Sequence, residues 1–360
     1  MRSFLYIGFF VFYFGLFPVD QSEAPLFFEL PVEFDETLQK SSVGEFMEDG
    51  FIAPVSIELV SDEGNPLFYS SSIRTTVCDD EICEIMYVKL YWDLVGEYVG
   101  FDTLVKHPLT KFDHEPFTHV DYERLHELLK NEGSILKFKQ KDELIDKEKV
   151  RASDVVDGTT GATSVEIKKE VVEGALYSSY TLWHLAYNGK VKNMITEQTA
   201  LRIDDQLLKQ LLNSSRSGYK LFAFHNFEEK EYQVYRKYWL SALKNDMPLT
   251  RKYILNNLPE KIWNTKNAQE DVCALFSYYD VNTKTYLLNK LKKTANVSAR
   301  SLEYISDGLT DLNSNQTKQF LSLVRNRKEI TPNTKSNIAQ ASDNKNFKYS
   351  YLIDEYERNK

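Results

Sequence analysis

The chain changes its hydrophobic period part-way along, and no single sheet or single bundle satisfies both parts. Over residues 56–101, "SIELVSDEGNPLFYSSSIRTTVCDDEICEIMYVKLYWDLVGEYVGF", short runs alternate. Met86, Val88 and Leu90 fall on one side of a strand, and Ile85, Tyr87 and Lys89 on the other. Residues 62–66, "DEGNP", are a turn signal between two such runs, so the segment predicts a β-meander. Over residues 227–326 the period is helical instead. "FEEKEYQVYRKYWLSALK", "PLTRKYILNNL", "NAQEDVCALFSYY", "TKTYLLNKLKK" and "TKQFLSLVRN" follow one another with short polar links and no strand signal. Serial short amphipathic helices predict an array of helical repeats of the HEAT type, although no crisp repeat motif aligns.

Between these parts, "HVDYERLHELLK" sets Val120, Leu125, Leu128 and Leu129 near helical spacing, which predicts one short helix after the strands. The charged residues 131–152, broken by Gly133, read as an exposed connection. The stretch "SVEIKKEVVEGALYSSYTLWHLAYNGKVKNMI" reads as helical, with Tyr180, Trp183 and Tyr187 on one face, a pattern that predicts core packing.

At 360 residues the chain exceeds one usual core, so more than one domain is expected. A hydrophobic fraction of 42% supplies those cores. The net charge of −9 excludes a nucleic-acid partner, which needs a basic field over its contact face.

The N-terminus has the architecture of a secretory signal: Arg2, an apolar run over residues 4–17, then a polar stretch to Ser22 and Ala24. The run is shorter than the roughly 17–25 residues of a spanning helix, so no transmembrane span is expected in the mature chain. Export makes Cys78 and Cys83 candidates for a small loop disulfide, with Cys273 left over. No second cysteine pair completes a zinc site.

Four of the six histidines, His107, His114, His119 and His126, fall in "HPLTKFDHEPFTHVDYERLH" with Asp113, Glu115 and Asp121 among them. Neither a two-histidine helical pair four apart nor a Cys/His finger is present, so surface polarity or a hydrogen-bonded turn is expected there and no metal. No serine stands in Gly-x-Ser-x-Gly, so nucleophilic hydrolysis has little support.

The remaining feature is "VVDGTTGATSVEI", residues 155–167. Gly158 and Gly161 supply backbone freedom, and Thr163 with Glu166 has the spacing of a capping box. A helix N-terminus there would favour an anion. There is no Gly-Lys-Ser/Thr of a P-loop and no Gly-x-Gly-x-x-Gly. The run Asp157-Gly158-Thr159-Thr160-Gly161-Ala162-Thr163 resembles the flavinylation motif of the FMN-binding domain family, carried by subunits of the sodium-translocating NADH:quinone oxidoreductase and of Rnf-type complexes. All the diagnostic positions match: Asp157, Thr160, Gly161, Ala162 and Thr163. The resemblance implies that a flavin transferase esterifies FMN through its phosphate to Thr163, with Asp157 serving recognition and Gly158 and Gly161 close backbone approach. The neighbouring aromatics Tyr177, Tyr180 and Trp183 are candidates to flank the flavin ring, although the sequence does not place them there. The family commonly continues with an apolar residue and then Thr-Ser, whereas this chain reads Ser164-Val165-Glu166.

The expected fold is therefore α+β: a signal peptide at 1–24, a β-rich FMN-binding-like domain at 25–205, a helical domain at 206–330 and a polar tail at 331–360. The expected function is that of an exported, periplasmic or extracellular flavoprotein in electron transfer, with a redox partner. The rival is a non-enzymatic secreted interaction protein, with a flavin-free FMN-binding-like fold, whose helical region binds another protein.

Overall fold

Six strands form one antiparallel sheet in the order β1-β6-β5-β4-β3-β2. They are β1 (Phe27–Phe28), β2 (Gln39–Phe46), β3 (Val55–Asp62), β4 (Asn65–Thr75), β5 (Met86–Trp92) and β6 (Tyr98–Thr103). The computed structural model describes residues 26–48, 51–77, 85–104, 106–111, 114–144, 165–325, 327 and 329–358. Two units divide the chain, Met1–Thr199 and Ala200–Lys360.

The meander from β3 to β6 is the one the alternation predicts. Between β3 and β4 the turn places Glu63 and Gly64 at φ 47° and 85°. Two consecutive left-handed residues give the primed turn whose twist matches paired strands. Between β5 and β6, the buried Asp93 holds the turn by accepting from the backbone N–H groups of Val95 and Glu97, both at 2.9 Å.

One sheet face carries Val60, Phe68, Tyr91 and Val99, covered by Phe28, Leu30, Val32, Phe34 and Leu38 from the N-terminal segment. The other face, which includes Tyr69 and Trp92, meets helices. The Trp92 indole donates to the Ala186 carbonyl at 2.7 Å, and the Tyr69 and Thr199 hydroxyls are 3.0 Å apart. The helices of this unit are α1 (His119–Leu129), α2 (Val165–Lys168), α3 (Leu176–Ala186) and α4 (Gly189–Ala200). Thr118 and Asp121 form a capping box that starts α1. Its buried face is Leu125, His126, Leu128 and Leu129, whereas Val120, expected on that face, is 69% exposed. One position of helical phase, 100°, separates the two outcomes.

Residues 131–144 are more ordered than an exposed connection. Short 3₁₀ turns at Ile135–Phe138 and Lys141–Glu143 bury Leu136 and Leu144. The helical reading after residue 164 is interrupted: α2 is a single turn, and Gly174 at φ 78° separates it from α3.

The second unit is all helix among its described residues: α5 (Asp205–Asn213), α6 (Ser217–His225), α7 (Glu229–Val234), α8 (Arg236–Asn245), α9 (Pro248–Asn257), α10 (Glu260–Trp263), α11 (Lys266–Ala274), α12 (Val281–Lys293), α13 (Ala299–Ser306), α14 (Ser314–Arg325), α15 (Pro332–Asp343) and α16 (Ser350–Arg358). Helices pack in two rows: α8 on α11, α11 on α13 and α13 on α15; then α6 on α9, α9 on α12, α12 on α14 and α14 on α16. In the first row the helices start at Arg236, Lys266, Ala299 and Pro332, 30 to 33 residues apart. Side-chain hydrogen bonds keep the same interval. Tyr286 donates to Asn256 at 2.8 Å, Gln319 to Asn289 at 3.1 Å and Asn333 to Glu303 at 2.9 Å, each 30 residues apart.

Residues 331–360 differ from the polar tail expected of them. Thr331 caps α15, whose Ile338 and Ala341 are buried, and α16 buries Leu352, Ile353 and Tyr356. Sparse apolar residues suffice for helices this short, because neighbours supply the rest of each core. The same holds for α13, which the periodicity does not single out and which buries Leu302 and Ile305.

Candidate functional site

The predicted flavin-attachment residues Asp157, Gly158, Thr160, Gly161, Ala162 and Thr163, the disulfide candidates Cys78 and Cys83, and Asp113 all lie outside the described residues. The described chain on either side of the motif is well anchored. It runs up to Leu144 and resumes at Val165, and Leu144 and Ile167 are both buried at 1%. Helix α2 packs against the 3₁₀ turn Ile135–Phe138. Behind it, the Arg124 guanidinium donates to the Lys169 carbonyl, and the Val172 N–H donates to Ser179 Oγ at 3.0 Å. The described part of α2 is the single turn Val165–Lys168.

Helix α3 stands beside this connection, and its aromatic stripe has a polar task. Tyr180 donates to the Lys139 carbonyl at 3.0 Å, Trp183 to Asn131 at 3.0 Å, His184 to Leu136 at 3.1 Å and Tyr187 to Leu129 at 2.7 Å. Positions i, i+3, i+4 and i+7 line up on one helix face, so a single helix satisfies successive carbonyls of an irregular segment. Trp183 is buried and committed to this contact, which removes it from the residues that could flank a flavin. Tyr177 and Tyr180 remain half-exposed, and Lys141 Nζ lies 5.8 Å from the centre of the Tyr177 ring.

The four clustered histidines are dispersed. His107 lies against Tyr87 with ring centres 4.6 Å apart, His114 takes φ 60° in a turn, and His119 pairs with Glu123 on the surface at 3.3 Å. Asp121 serves the α1 cap and Lys111 at 2.8 Å. Among the described residues no three His, Cys, Asp or Glu side chains stand together as a metal site.

His126 is the exception in burial. Its Nδ1 lies 3.0 Å from the Tyr98 hydroxyl, its Nε2 3.6 Å from Glu29, and Phe27 stacks on it with centres 4.7 Å apart. Lys130 holds the same Glu29 carboxylate at 2.9 Å. Sequence proximity groups His126 with His107, His114 and His119, whereas its partners in the fold are Tyr98, Glu29 and, through Glu29, Lys130. The available signal was a histidine on the apolar stripe of α1, between Leu125 and Leu129. Burial holds His126 below its ordinary 6.5 despite the opposing Glu29 charge, and burial likewise lowers His184. Burial, aided by the Glu29 charge, pushes the Tyr98 hydroxyl well up. With its proton on Nε2, a neutral His126 would accept the Tyr98 hydroxyl at Nδ1 and face Glu29 with Nε2.

A pH dependence follows. The unfolded chain, whose histidines titrate near 6.5, binds more protons than the folded chain below that value. Stability is full above about pH 6.5 and falls as pH drops toward the lowered folded values. Carboxylates such as Asp121, whose folded pKa is lowered from 3.8, add their loss only at lower pH. Denaturant midpoints measured from about pH 7.5 to about pH 5 should fall, and less steeply in His126→Gln. A flat profile in the unsubstituted protein would contradict the buried neutral imidazole.

Cys273 is buried, and burial pushes its thiol up to about 12, which leaves it unreactive. No helix among the described residues is long and apolar enough to cross a membrane. No protein family, no curated protein and no solved structure matches this chain.

Proposed function

We propose that the chain is an exported flavoprotein, with FMN esterified through its phosphate to Thr163 by a flavin transferase and acting in electron transfer. The observation that carries this reading is the motif Asp157–Thr163 itself, matched at every diagnostic position. The surroundings of its described flanks fit such a group. Leu144 and Ile167 tie both ends down, and a half-exposed ring and cation, Tyr177 and Lys141, stand near the point of departure. Thr163 would carry the ester, Asp157 would serve recognition, and Gly158, Thr160, Gly161 and Ala162 would let the backbone approach. When bound, FMN supplies one- or two-electron chemistry, and the protein sets its orientation and surroundings.

Export brings the disulfide with it. Thr75 pairs with Met86 in the β4–β5 hairpin, Cys78 follows Thr75 by three residues, and Cys83 precedes Met86 by three. Cys78 and Cys83, five residues apart in the sequence, are the candidates for a small loop disulfide.

Intact mass of the exported protein, co-produced with a flavin transferase, tests both points. The expected spectrum shows one FMN ester, absent in Thr163→Ala, and a gain of two hydrogens on reduction of Cys78 and Cys83. An unmodified mass in the unsubstituted protein overturns the flavin reading, and an unchanged mass on reduction overturns the disulfide.

A second reading concerns the helical unit, and the two-row packing with contacts at 30-residue intervals favours it. Such packing supports the reading of the unit as a HEAT-like helical-repeat array serving as a protein-binding scaffold. In an array each turn depends on its neighbours, so damage to one turn loosens those beside it first.

A further inference from the structure

Where α8 passes to α9, and where α11 passes to α12, large apolar side chains stand in solvent. Met247, Leu249, Tyr278 and Val281 are 55%, 67%, 53% and 60% exposed. Scattered exposed apolar residues need no explanation, but a contiguous group of them marks an interaction surface. These four belong to one patch because Arg251 joins the two connections. Its guanidinium donates to the Lys244 carbonyl at 2.9 Å, lies 3.5 Å from the Asp280 carboxylate and faces the Tyr279 ring at 6.0 Å, while its own N–H bonds back to the Met247 carbonyl at 3.1 Å. Lys244 Nζ sits 4.5 Å from the centre of the Tyr278 ring and closes the patch on that side.

Charge decides what would cover it. The two acids at this edge are already engaged: Asp246 with Lys220 at 2.8 Å, and Asp280 with Arg251 and the α12 cap, where it accepts from Asn282 and Thr283. The cations Lys244 and Lys284 instead rest on aromatic rings, Tyr278 and Phe276, and among the described residues neither has a carboxylate partner. The first turn of α9, opened by Met247 and Pro248, has no side-chain cap, so its amides add to the positive field. A chain whose net charge is −9 thus presents one edge where cations and apolar side chains stand together and the local acids, Asp246 and Asp280, are already paired.

From this complementarity we infer that the edge formed by Lys244, Met247, Leu249, Tyr278, Val281 and Lys284 docks an acidic segment of a partner protein, one that carries large apolar side chains between its carboxylates. The apolar side chains bury Met247, Leu249 and Tyr278, and the carboxylates reach the two lysines. The inference rests on the scaffold reading of the helical unit and is independent of the flavin.

The test uses the full mature chain and three fluorescein-labelled peptides: one of alternating Glu and Phe, a copy with Lys for every Glu, and a copy with Ser for every Phe. The Glu/Phe peptide should bind and should weaken with added salt, because surface ion pairs are screened. Lys244→Glu with Lys284→Glu should weaken it at least about tenfold, a loss of about 1.4 kcal/mol. Met247→Ser with Leu249→Ser should do the same. Lys335→Glu, on α15, should leave it unchanged. All of these positions are at the surface, and circular dichroism checks that each variant folds. No binding of the Glu/Phe peptide overturns the proposal. So does equal binding of the Lys copy, equal affinity in the edge variants, or a self-associated protein that becomes monomeric in Met247→Ser with Leu249→Ser without any peptide effect. Failure here leaves the packing rows intact, whereas uniform loosening of the whole unit by a single cavity would remove the scaffold reading itself.

Discussion

Trp239→Ala should destabilise the helical unit by about 3–5 kcal/mol, the range for deleting a buried aromatic side chain. Trp239 lies on α8 at 0% exposure, and α8 packs on α7, α9 and α11. Its indole donates to the Tyr232 carbonyl at 2.7 Å, so the substitution also strands a buried acceptor. Where the loss appears matters as much as its size. Because side-chain bonds in this unit link residues about one helix pair apart, protection against hydrogen exchange should fall first in α7, α8 and α9 and least in α16. Uniform loss across the unit would indicate one cooperative core and would sink the array reading. Trp239→Phe keeps most of the volume and should cost only about 1–2 kcal/mol, chiefly the lost donor.

Gly100→Ala should cost the sheet unit roughly 3 kcal/mol, at the upper end of overpacking effects. A Cβ at this position would stand 2.1 Å from the Phe27 carbonyl oxygen and 2.9 Å from Phe28 Cα. Both obstacles are backbone, so the strand β1 has to leave its place beside β6. Its departure removes Phe28 from the aromatic cluster with Phe34, Phe68 and Tyr91, and Phe27 from His126. The second readout is therefore the histidine: hydration should move the His126 titration up toward 6.5, visible by NMR. Gly44→Ala is the comparison. There the Cβ would meet Met194 Sδ at 2.4 Å, the far end of a flexible side chain that can turn aside. A cost for Gly44→Ala equal to that for Gly100→Ala, or an unmoved His126 titration in Gly100→Ala, would contradict this account.

The candidate site divides along the same line as the fold. The stretch Asp157–Thr163, on which the flavin proposal rests, can be singled out from sequence because it is a local string defined by residue type and order. The Tyr98–His126–Glu29–Lys130 cluster was not legible, because β1, β6 and α1 bring its members together from distant positions in the chain. Trp183 makes the same point from the other side. Its spacing with Tyr180 and Tyr187 predicted a shared face, but only the presence of residues 129–139 beside that face turned it into a row of donors to backbone carbonyls.

Local pattern determined the meander, its primed turn at Glu63–Gly64, the helix over His119–Leu129 and the helical character of residues 227–326. Each depends on period, turn chemistry or capping within a few residues. Tertiary structure alone decided which phase of α1 is buried, exposing Val120 and enclosing His126, and where the helical run after residue 164 breaks. It also made helices of α13, α15 and α16. Their own apolar residues are too few for an isolated helix, and only burial against neighbours offsets the entropy of ordering them.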